Sequence, residues 1–205
     1  LAPYQPKEVL DVATGTGDLA IELVQTIPSI THVTGIDISE EMMRIGGEKV
    51  RMLGLDRKID FLRQDSTATD FTEATFDAAT IGFGIRNFSD IPAAARELHR
   101  ILRPSGVLII VELSEPTNPI LHLGYKLYAG HIVPLIGRLM TEDKDAYSYL
   151  PQSIKAVPQR EQMVEILKEA GFREAFYESI FPGSCTIYVG INAAPIPFPT
   201  EDIAE

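Results

Sequence analysis

The feature that most constrains the fold is a regular alternation of short apolar segments with amphipathic ones between Glu8 and Glu112. The apolar segments, such as FDAATIGFGI, run almost continuously and lack the strict alternation of a half-exposed strand. Strands of this kind, separated by helices, are typical of a parallel sheet that is covered by helices on both faces. The sequence therefore predicts an α/β fold.

The same pattern predicts the individual elements. The expected strands of this part are Glu8–Ala13, His32–Asp37, Lys58–Asp65, Phe76–Gly82 and Gly106–Glu112. The expected helices are Gly17–Ile27, Glu40–Leu53, with Ser39 as its N-cap, and Ile91–Leu102. A helix at Gln159–Ala170, closed by Gly171, then precedes the strands Arg173–Phe181 and Cys185–Ile191. Only Pro-Gly-Ser and its neighbours link these last two strands, so we expect an antiparallel hairpin.

These elements predict a single domain over residues 1–192. Residues 114–158 interrupt the rhythm, and we expect them to form a helical insert that acts as a lid or substrate wall. Residues 193–205 hold three prolines and three acids and are expected to form a flexible tail. The sequence begins close to the first strand and without Met, which predicts a further N-terminal segment.

Net charge and cysteine content limit the partners and the cellular location that the sequence allows. The net charge of -11 argues against a nucleic-acid partner, because phosphate backbones attract basic surfaces. The lone Cys185 allows no internal disulfide, and no leader peptide is visible, so a cytoplasmic location is predicted.

Open α/β sheets bind ligands beyond the carboxyl ends of their strands, so the loops after the first five strands should surround one site. The first of these loops contains Gly15-x-Gly17-x-x-Ala20, and Asp37 follows Gly17 by 20 residues. This spacing indicates a nucleotide-type cofactor whose ribose hydroxyls bind Asp37. A plain tight turn without a ligand is the alternative.

Charge favours one ligand class over another. Four carboxylates, those of Asp11, Asp18, Asp37 and Asp65, lie at or near strand ends, where they would repel a pyrophosphate and attract a cation. The sequence also lacks the second βαβαβ half that holds a nicotinamide. S-adenosylmethionine, which carries a sulfonium, is therefore predicted over a dinucleotide. Asp65 and Ser66 could flank its adenine, although Asp65 could instead only cap a turn.

Six segments occur in an order and spacing that together resemble one family: VLDVATGTGDLA, GIDIS, IGFGIRNF, LxRILRPSG, VELSEP and YSYLPQSI. The sequence is similar over about Lys7–Ile191 to the ubiquinone/menaquinone biosynthesis C-methyltransferases. It departs from them in Pro-Ser-Gly at 104–106, in the hairpin FPGSCTI and in the absence of their N-terminal helix.

The resemblance implies a class I, Rossmann-like methyltransferase with a seven-stranded, mostly parallel sheet that ends in an antiparallel hairpin. It also implies methyl transfer from S-adenosylmethionine to a ring carbon of a polyprenylated quinol, with demethylmenaquinol as the leading acceptor and a benzoquinol as the alternative. The glycine loop and the resemblance together predict the following cofactor-binding residues and no metal ligand: Ala13, Thr14, Gly15, Thr16, Gly17, Asp37, Ile38, Asp65, Ser66 and Gly82, the last through its backbone.

The predicted catalytic residues are Arg86, Asn87 and Tyr149. A quinol ring becomes a carbon nucleophile when a hydroxyl loses its proton, and a guanidinium in a dry pocket stabilises that oxyanion. Asn87 would hold a ring oxygen, and Tyr149 would contact the substrate. The alternative for Arg86 is an ion pair with an acid, such as Asp90, that merely closes the loop. The proton acceptor stays open between a water that Arg86 polarises and side chains of the insert.

The apolar side chains of the insert predict either a small helical core or a groove for a prenyl tail at a membrane surface. The partners expected are thus the quinol, a peripheral membrane contact and a second copy of the chain. Two other classes stay open from the residues alone: a nicotinamide-dependent oxidoreductase and a catalytically silent binding module.

Overall fold

The computed structural model describes residues 1–119, 153–154 and 156–192. Most of the predicted insert at 114–158, with Tyr149 in it, and the predicted tail at 193–205 lie outside the described residues.

Seven strands form one sheet in the order β3-β2-β1-β4-β5-β7-β6. They are β1 Glu8–Val12, β2 His32–Asp37, β3 Ile59–Arg63, β4 Phe76–Gly82, β5 Leu102–Leu113, β6 Glu174–Ile180 and β7 Cys185–Ile191. The strands β1 to β5 pair in parallel, and β7 runs antiparallel to both β5 and β6. The prediction of a mostly parallel sheet that ends in an antiparallel hairpin is confirmed.

Helices cover both faces of this sheet. They are α1 Asp18–Thr26, α2 Glu40–Met52, α3 Ile91–Ile101 and α4 Glu161–Glu169. Neighbouring residues of β1 show why its apolar residues do not alternate with polar ones, because Val9 packs with α1 and α2 in one core while Leu10 packs with α3 and α4 in the other. Side chains of successive strand residues point to opposite faces, so both must be apolar in a sheet covered on both sides.

Side-chain caps set where two helices begin. Ser39 caps α2, as predicted, and its Oγ accepts a hydrogen bond from Met42 N at 3.4 Å. Asp90 caps α3, where its Oδ1 accepts from Ala93 N at 2.8 Å. The alternative in which Arg86 pairs with an acid is therefore confirmed, but the acid is Glu112 and not Asp90, whose carboxylate serves the start of α3.

The start of β5 differs from the prediction of Gly106. The strand begins at Leu102, directly after α3, because Leu102 pairs with Phe76 before the register shifts to Ala78 and Val107. The Pro-Ser-Gly sequence thus lies in an irregularity inside the strand, where Ser105 has a φ of 64°. Among the described residues, no helix is both long and apolar enough to cross a membrane.

Candidate functional site

A cleft of about 850 Å³ opens at the carboxyl ends of the parallel strands, where the strand order reverses between β1 and β4. Its lining comes from the ends of β1, β2, β4 and β5, the loops that follow β1 to β4 and the first turns of α1 and α2: Asp11, Val12, Ala13, Thr14, Gly15, Asp18, Leu19, Ile36, Asp37, Ile38, Met42, Gln64, Ser66, Gly82, Phe83, Gly84, Arg86, Asn87, Phe88 and Val111. The expectation that these loops surround one site is confirmed for the loops after β1 to β4.

The glycine loop after β1 is shaped by close packing. Gly17 has a φ of 76°, and a Cβ built on it would lie 2.5 Å from Cζ of Phe61. Both the left-handed backbone and the short approach therefore require glycine. The loops after β1 and β4 are also in close contact, since a Cβ built on Gly84 would lie 2.6 Å from the Cβ of Ala13. The two loops thus form one continuous floor.

Asp37 is held rigidly at the end of β2. Its Oδ2 accepts a hydrogen bond from Gly15 N at 2.8 Å, and its Oδ1 accepts one from Ser39 N at 2.9 Å. A carboxylate has about four acceptor positions, so both oxygens keep capacity for further donors. This arrangement suits a ligand with two adjacent hydroxyl groups, such as a ribose.

Asp11 lies in the floor of the cleft and is 1% exposed. Its oxygens accept hydrogen bonds from Thr14 Oγ1 at 2.6 Å and from Thr80 Oγ1 at 2.8 Å. Burial, together with a smaller contribution from the nearby Asp37, raises the pKa of Asp11 to about 6, against the opposing effect of the two threonine hydrogen bonds. A buried carboxylate of this kind gains most from a cationic ligand, which favours its charged form.

Arg86 and Asn87 lie in a single 3₁₀ turn, Ile85–Asn87, directly after β4, and both line the cleft. Arg86 Nη1 donates to Glu112 Oε1 at 2.8 Å and to the carbonyl oxygen of Phe83. Arg86 Nε is buried and has no hydrogen-bond partner in the described structure. The edge of the guanidinium that carries Nε and Nη2 is thus not used by the ion pair.

Glu112 was not predicted as a site residue. Its side chain is 2% exposed, and besides Arg86 Nη1 it accepts from Arg86 N at 3.3 Å and Leu113 N at 2.8 Å. The sequence signal that could have found it is a carboxylate inside the apolar run GVLIIVEL, where a charge is costly without a partner.

The structure does not bring every predicted cofactor residue to the cleft wall. Thr16, Gly17 and Asp65 are not part of the lining, although the first two shape the loop. Asp65 Oδ1 accepts from N and Oγ1 of Thr67, and these hydrogen bonds lower the pKa of this exposed carboxyl. Asp65 therefore caps a turn, which was the alternative to its predicted contact with the adenine.

Not all of the four carboxylates keep an uncompensated negative charge. Asp18 lines the cleft but forms an ion pair with Lys49, whose Nζ lies 2.8 Å from Oδ1. Thr16 Oγ1 donates to Asp18 Oδ2 and accepts from Lys49. The preference for a cationic ligand therefore rests on Asp11 and Asp37 rather than on four carboxylates. Across the described part of the chain, no group of three or more His, Cys, Asp or Glu side chains could hold a metal ion.

Solved structures with the same fold support the assignment of the architecture. A SAM-dependent methyltransferase from Aquifex aeolicus matches with a TM-score of 0.65 and 22% identity, covering 90% of this chain and 81% of that chain. The cyclase SpnF matches with a TM-score of 0.68 and 19% identity over 92% of this chain and 75% of that one. These similarities show the fold alone, since a cyclase shares it.

Sequence comparison identifies the family. The family model described as the ubiE/COQ5 methyltransferase family matches residues 1–192. A demethylmenaquinone methyltransferase from Porphyromonas gingivalis is 47% identical, over 94% of this chain and 78% of that protein. A ubiquinone/menaquinone biosynthesis C-methyltransferase from Dinoroseobacter shibae is 36% identical, over 93% of this chain and 76% of that protein. The chain belongs to the ubiE/COQ5 methyltransferase family.

Proposed function

We propose that this chain transfers a methyl group from S-adenosylmethionine to a ring carbon of a polyprenylated quinol, converting demethylmenaquinol to menaquinol. The family is one of methyltransferases, and relatives at 42% and 47% identity are named demethylmenaquinone methyltransferases. The geometry that carries the proposal is the guanidinium of Arg86 at the wall of a cleft that also holds Asp37 and Asp11.

The cleft fits S-adenosylmethionine, which supplies a methyl group on a sulfonium that a carbon nucleophile can displace. Asp37 would accept from the ribose hydroxyls, because both its oxygens are fixed by backbone donors and keep free acceptor capacity. Ile38 and Ser66 would flank the adenine, and the loop from Ala13 to Gly17 would lie along the rest of the ligand, with Gly82 approaching through its backbone. Asp11 would face the cationic part.

Arg86 would stabilise the quinol oxyanion. The ion pair with Glu112 and the bond to Phe83 O occupy Nη1, and Nε is buried, so Nη2 would be the nitrogen that donates to the oxyanion. The side chain is 17% exposed, so such bonds form in a largely dry environment where they are strong. Asn87, next to it on the cleft wall, would hold a second ring oxygen. The predicted substrate contact of Tyr149 belongs to the same proposal.

A benzoquinol is the second candidate acceptor. Relatives at 35% and 36% identity carry names that include both the ubiquinone and the menaquinone pathways. The higher identity of the relatives named for menaquinone alone favours the naphthoquinol as the main substrate.

The proposal is tested by offering the protein S-adenosylmethionine with a short-tailed demethylmenaquinol and, separately, a demethylbenzoquinol, both kept reduced. We expect the mass of the naphthoquinol to increase by one methyl group and S-adenosylhomocysteine to form in equal amount. The same acceptor in its oxidised quinone form is the control, since it has no hydroxyl to ionise. Binding of S-adenosylhomocysteine without methylation of either quinol would contradict the proposed substrate.

The remaining partners are part of this proposal. Residues 114–158 would form a lid within the single domain of residues 1–192, with residues 193–205 as a loose tail. Because the acceptor carries a prenyl tail, the protein would work in the cytoplasm and contact the inner face of the membrane peripherally. The net charge of -11 implies that the protein binds neutral vesicles better than anionic ones. Sedimentation with both vesicle types tests the contact, and light scattering tests for a homodimer.

A further inference from the structure

We infer that Phe83 binds the aromatic ring of the acceptor and that this contact gives the cleft its preference for an acceptor with two fused rings over one with a single ring. This inference rests on the proposed function, because it assigns the acceptor side of the same cleft to a named side chain.

Phe83 presents an apolar ring to the cleft. It follows β4 directly and lines the cleft, and it is 46% exposed. Among the described residues, neither hydrophobic core includes Phe83, whereas Phe88 of the same loop packs against the core that contains α3. A phenylalanine ring in contact with water costs free energy, which an apolar ring bound on it would recover. Phe83 therefore serves the cleft rather than the packing of the fold.

The backbone of Phe83 has a conformation that favours glycine. Its φ is 56°, in the left-handed region that is costly for a bulky L-residue. Glycine would adopt this φ without strain, and glycine stands on either side of it, at Gly82 and Gly84. Strain of this kind concentrates at ligand sites, where the side chain has a task. The ring is thus the reason that this position holds phenylalanine.

Hydrogen bonds on both sides of Phe83 fix its backbone. Phe83 N donates to Val111 O at 2.8 Å, which continues the pairing of β4 with β5. Phe83 O accepts from Nη1 of Arg86. One anchored turn therefore presents both the ring and the guanidinium, so an acceptor ring that binds Phe83 lies next to the group that would stabilise its oxyanion.

The strand order places Phe83 on the side of the cleft away from the cofactor ribose. Asp37, which would bind the ribose, ends β2, and β1 lies between β2 and β4. Ile38 and Ser66, which would flank the adenine, lie in the loops after β2 and β3. The cofactor thus occupies the side of β2 and β1, which leaves the side of β4 and β5, with Phe83 and Arg86, to the acceptor.

The size of the acceptor ring decides how much this contact contributes. Aromatic rings associate in offset-stacked or edge-to-face arrangements, and the apolar area that they bury grows with the size of the partner. A naphthoquinol has two fused rings and a benzoquinol has one, so the naphthoquinol gains more from Phe83. Phe83 takes part in no bond-making step, because it only binds and orients the ring.

The test is the steady-state kinetics of Phe83→Leu and Phe83→Ala with a short-tailed demethylmenaquinol and a demethylbenzoquinol, both kept reduced, at saturating S-adenosylmethionine. We expect the KM of the naphthoquinol to rise about threefold in the Leu variant and on the order of tenfold in the Ala variant. The kcat should stay within about threefold, because the lost contact is the same in the ground and transition states. The KM of the benzoquinol, or its inhibition constant if it is not methylated, should rise less than about threefold in the Ala variant.

Phe83→Gly separates the ring from the backbone. The Gly and Ala variants both lack the ring and should share the raised KM, but only glycine relieves the left-handed strain. We expect the thermal midpoint of Phe83→Gly to lie about 2–4 °C above that of Phe83→Ala.

Phe176→Ala is the matched control, because Phe176 is 49% exposed on β6 and lies outside the cleft. Its removal should leave the KM of both quinols unchanged. Binding of S-adenosylhomocysteine establishes that each variant is folded, and the Leu variant keeps apolar bulk at position 83 if the smaller side chains fold poorly.

The outcomes separate the two proposals. If the unchanged protein methylates neither quinol, the proposed function fails and the inference fails with it. If it methylates the naphthoquinol, and Phe83→Ala keeps that KM within twofold or raises the constants of both quinols equally, the inference alone is overturned. A loss of affinity for S-adenosylmethionine on the order of tenfold, with the affinity for S-adenosylhomocysteine kept, would show that the ring faces the sulfonium and would also overturn it. Equal thermal midpoints of the Gly and Ala variants would contradict the argument from strain.

Discussion

Replacing Asp11 by Asn should stabilise the ligand-free protein and weaken its binding of the cationic cofactor. Asp11 is buried in the cleft floor, and burial raises the pKa of its carboxyl to about 6, above the ordinary value of 3.8. The folded protein thus holds this proton more tightly than the unfolded chain does. Asn keeps the shape and removes the buried charge, while the hydroxyls of Thr14 and Thr80 can rotate to pair with an amide.

The magnitude follows from the two pKa values. Each tenfold difference in proton affinity is worth about 1.36 kcal/mol, so a carboxyl with a pKa of about 6 rather than 3.8 costs the folded state about 3 kcal/mol once it is ionised in both states. The sign is that of a raised carboxyl pKa, so the free energy of unfolding of the ligand-free protein falls as pH rises from about 4 to about 6.

Urea unfolding of both proteins over this pH range measures the effect. We expect the advantage of Asp11→Asn to be small near pH 4, to grow to about 3 kcal/mol above pH 6, and then to stay constant. Calorimetric titration with S-adenosylmethionine should show a Kd that is higher on the order of tenfold in the variant, as one charge-assisted interaction is lost. In the unchanged protein the same Kd should rise as pH falls below about 6.

Asp77→Asn is the matched control, because the same substitution should act in the opposite direction there. Partial burial of Asp77 raises its pKa, but hydrogen bonds from Glu8 N, Arg103 and Lys7 N outweigh this and hold it below the ordinary value. The Asn variant should therefore lose stability at neutral pH. If Asp11→Asn instead destabilises the ligand-free protein at every pH, the carboxylate is needed for folding and the reasoning is refuted.

Three further substitutions test the site. Asp37→Ala should weaken S-adenosylhomocysteine binding on the order of 100-fold, because the acceptors of the ribose hydroxyls and the anchor of Gly15 N are lost together. A Kd within a few-fold of that of the unchanged protein in calorimetry would contradict the assigned role. Asp65→Ala should change that Kd less than about threefold, because its carboxylate caps a turn; a loss comparable to that of Asp37→Ala would restore Asp65 to the adenine contact. Gly17→Ala should lower the free energy of unfolding by about 1–3 kcal/mol in urea, because the backbone is left-handed and the new Cβ would meet Phe61; unchanged stability would show that the loop relaxes freely.

The fold was largely predictable, because apolar periodicity and turn residues are local signals. Both-face burial of β1 is visible in its sequence, and the short link between β6 and β7 permits only an antiparallel hairpin. The start of β5 was missed because Pro-Ser-Gly indicates a break, whereas the pairing of Leu102 with Phe76 extends the strand across it.

The candidate site was predictable only where its residues are neighbours in sequence. Asp37 and the glycine loop follow a known spacing, but the partner of Arg86 lies on a different strand and is brought near by the pairing of β4 with β5. The nearer acid, Asp90, was the natural alternative by sequence distance, yet its position before α3 commits it to capping. Ion pairs such as that of Asp18 with Lys49 depend in the same way on tertiary packing that no local pattern encodes.

The central claim is that the methyl group goes to a ring carbon of a quinol. The most direct measurement is to supply S-adenosylmethionine with a deuterated methyl group and a short-tailed demethylmenaquinol, and to locate the label in the product by NMR. The account predicts that the whole labelled methyl group is bonded to the ring carbon that carried hydrogen. A label on oxygen, or no labelled product while the cofactor still binds, would contradict it.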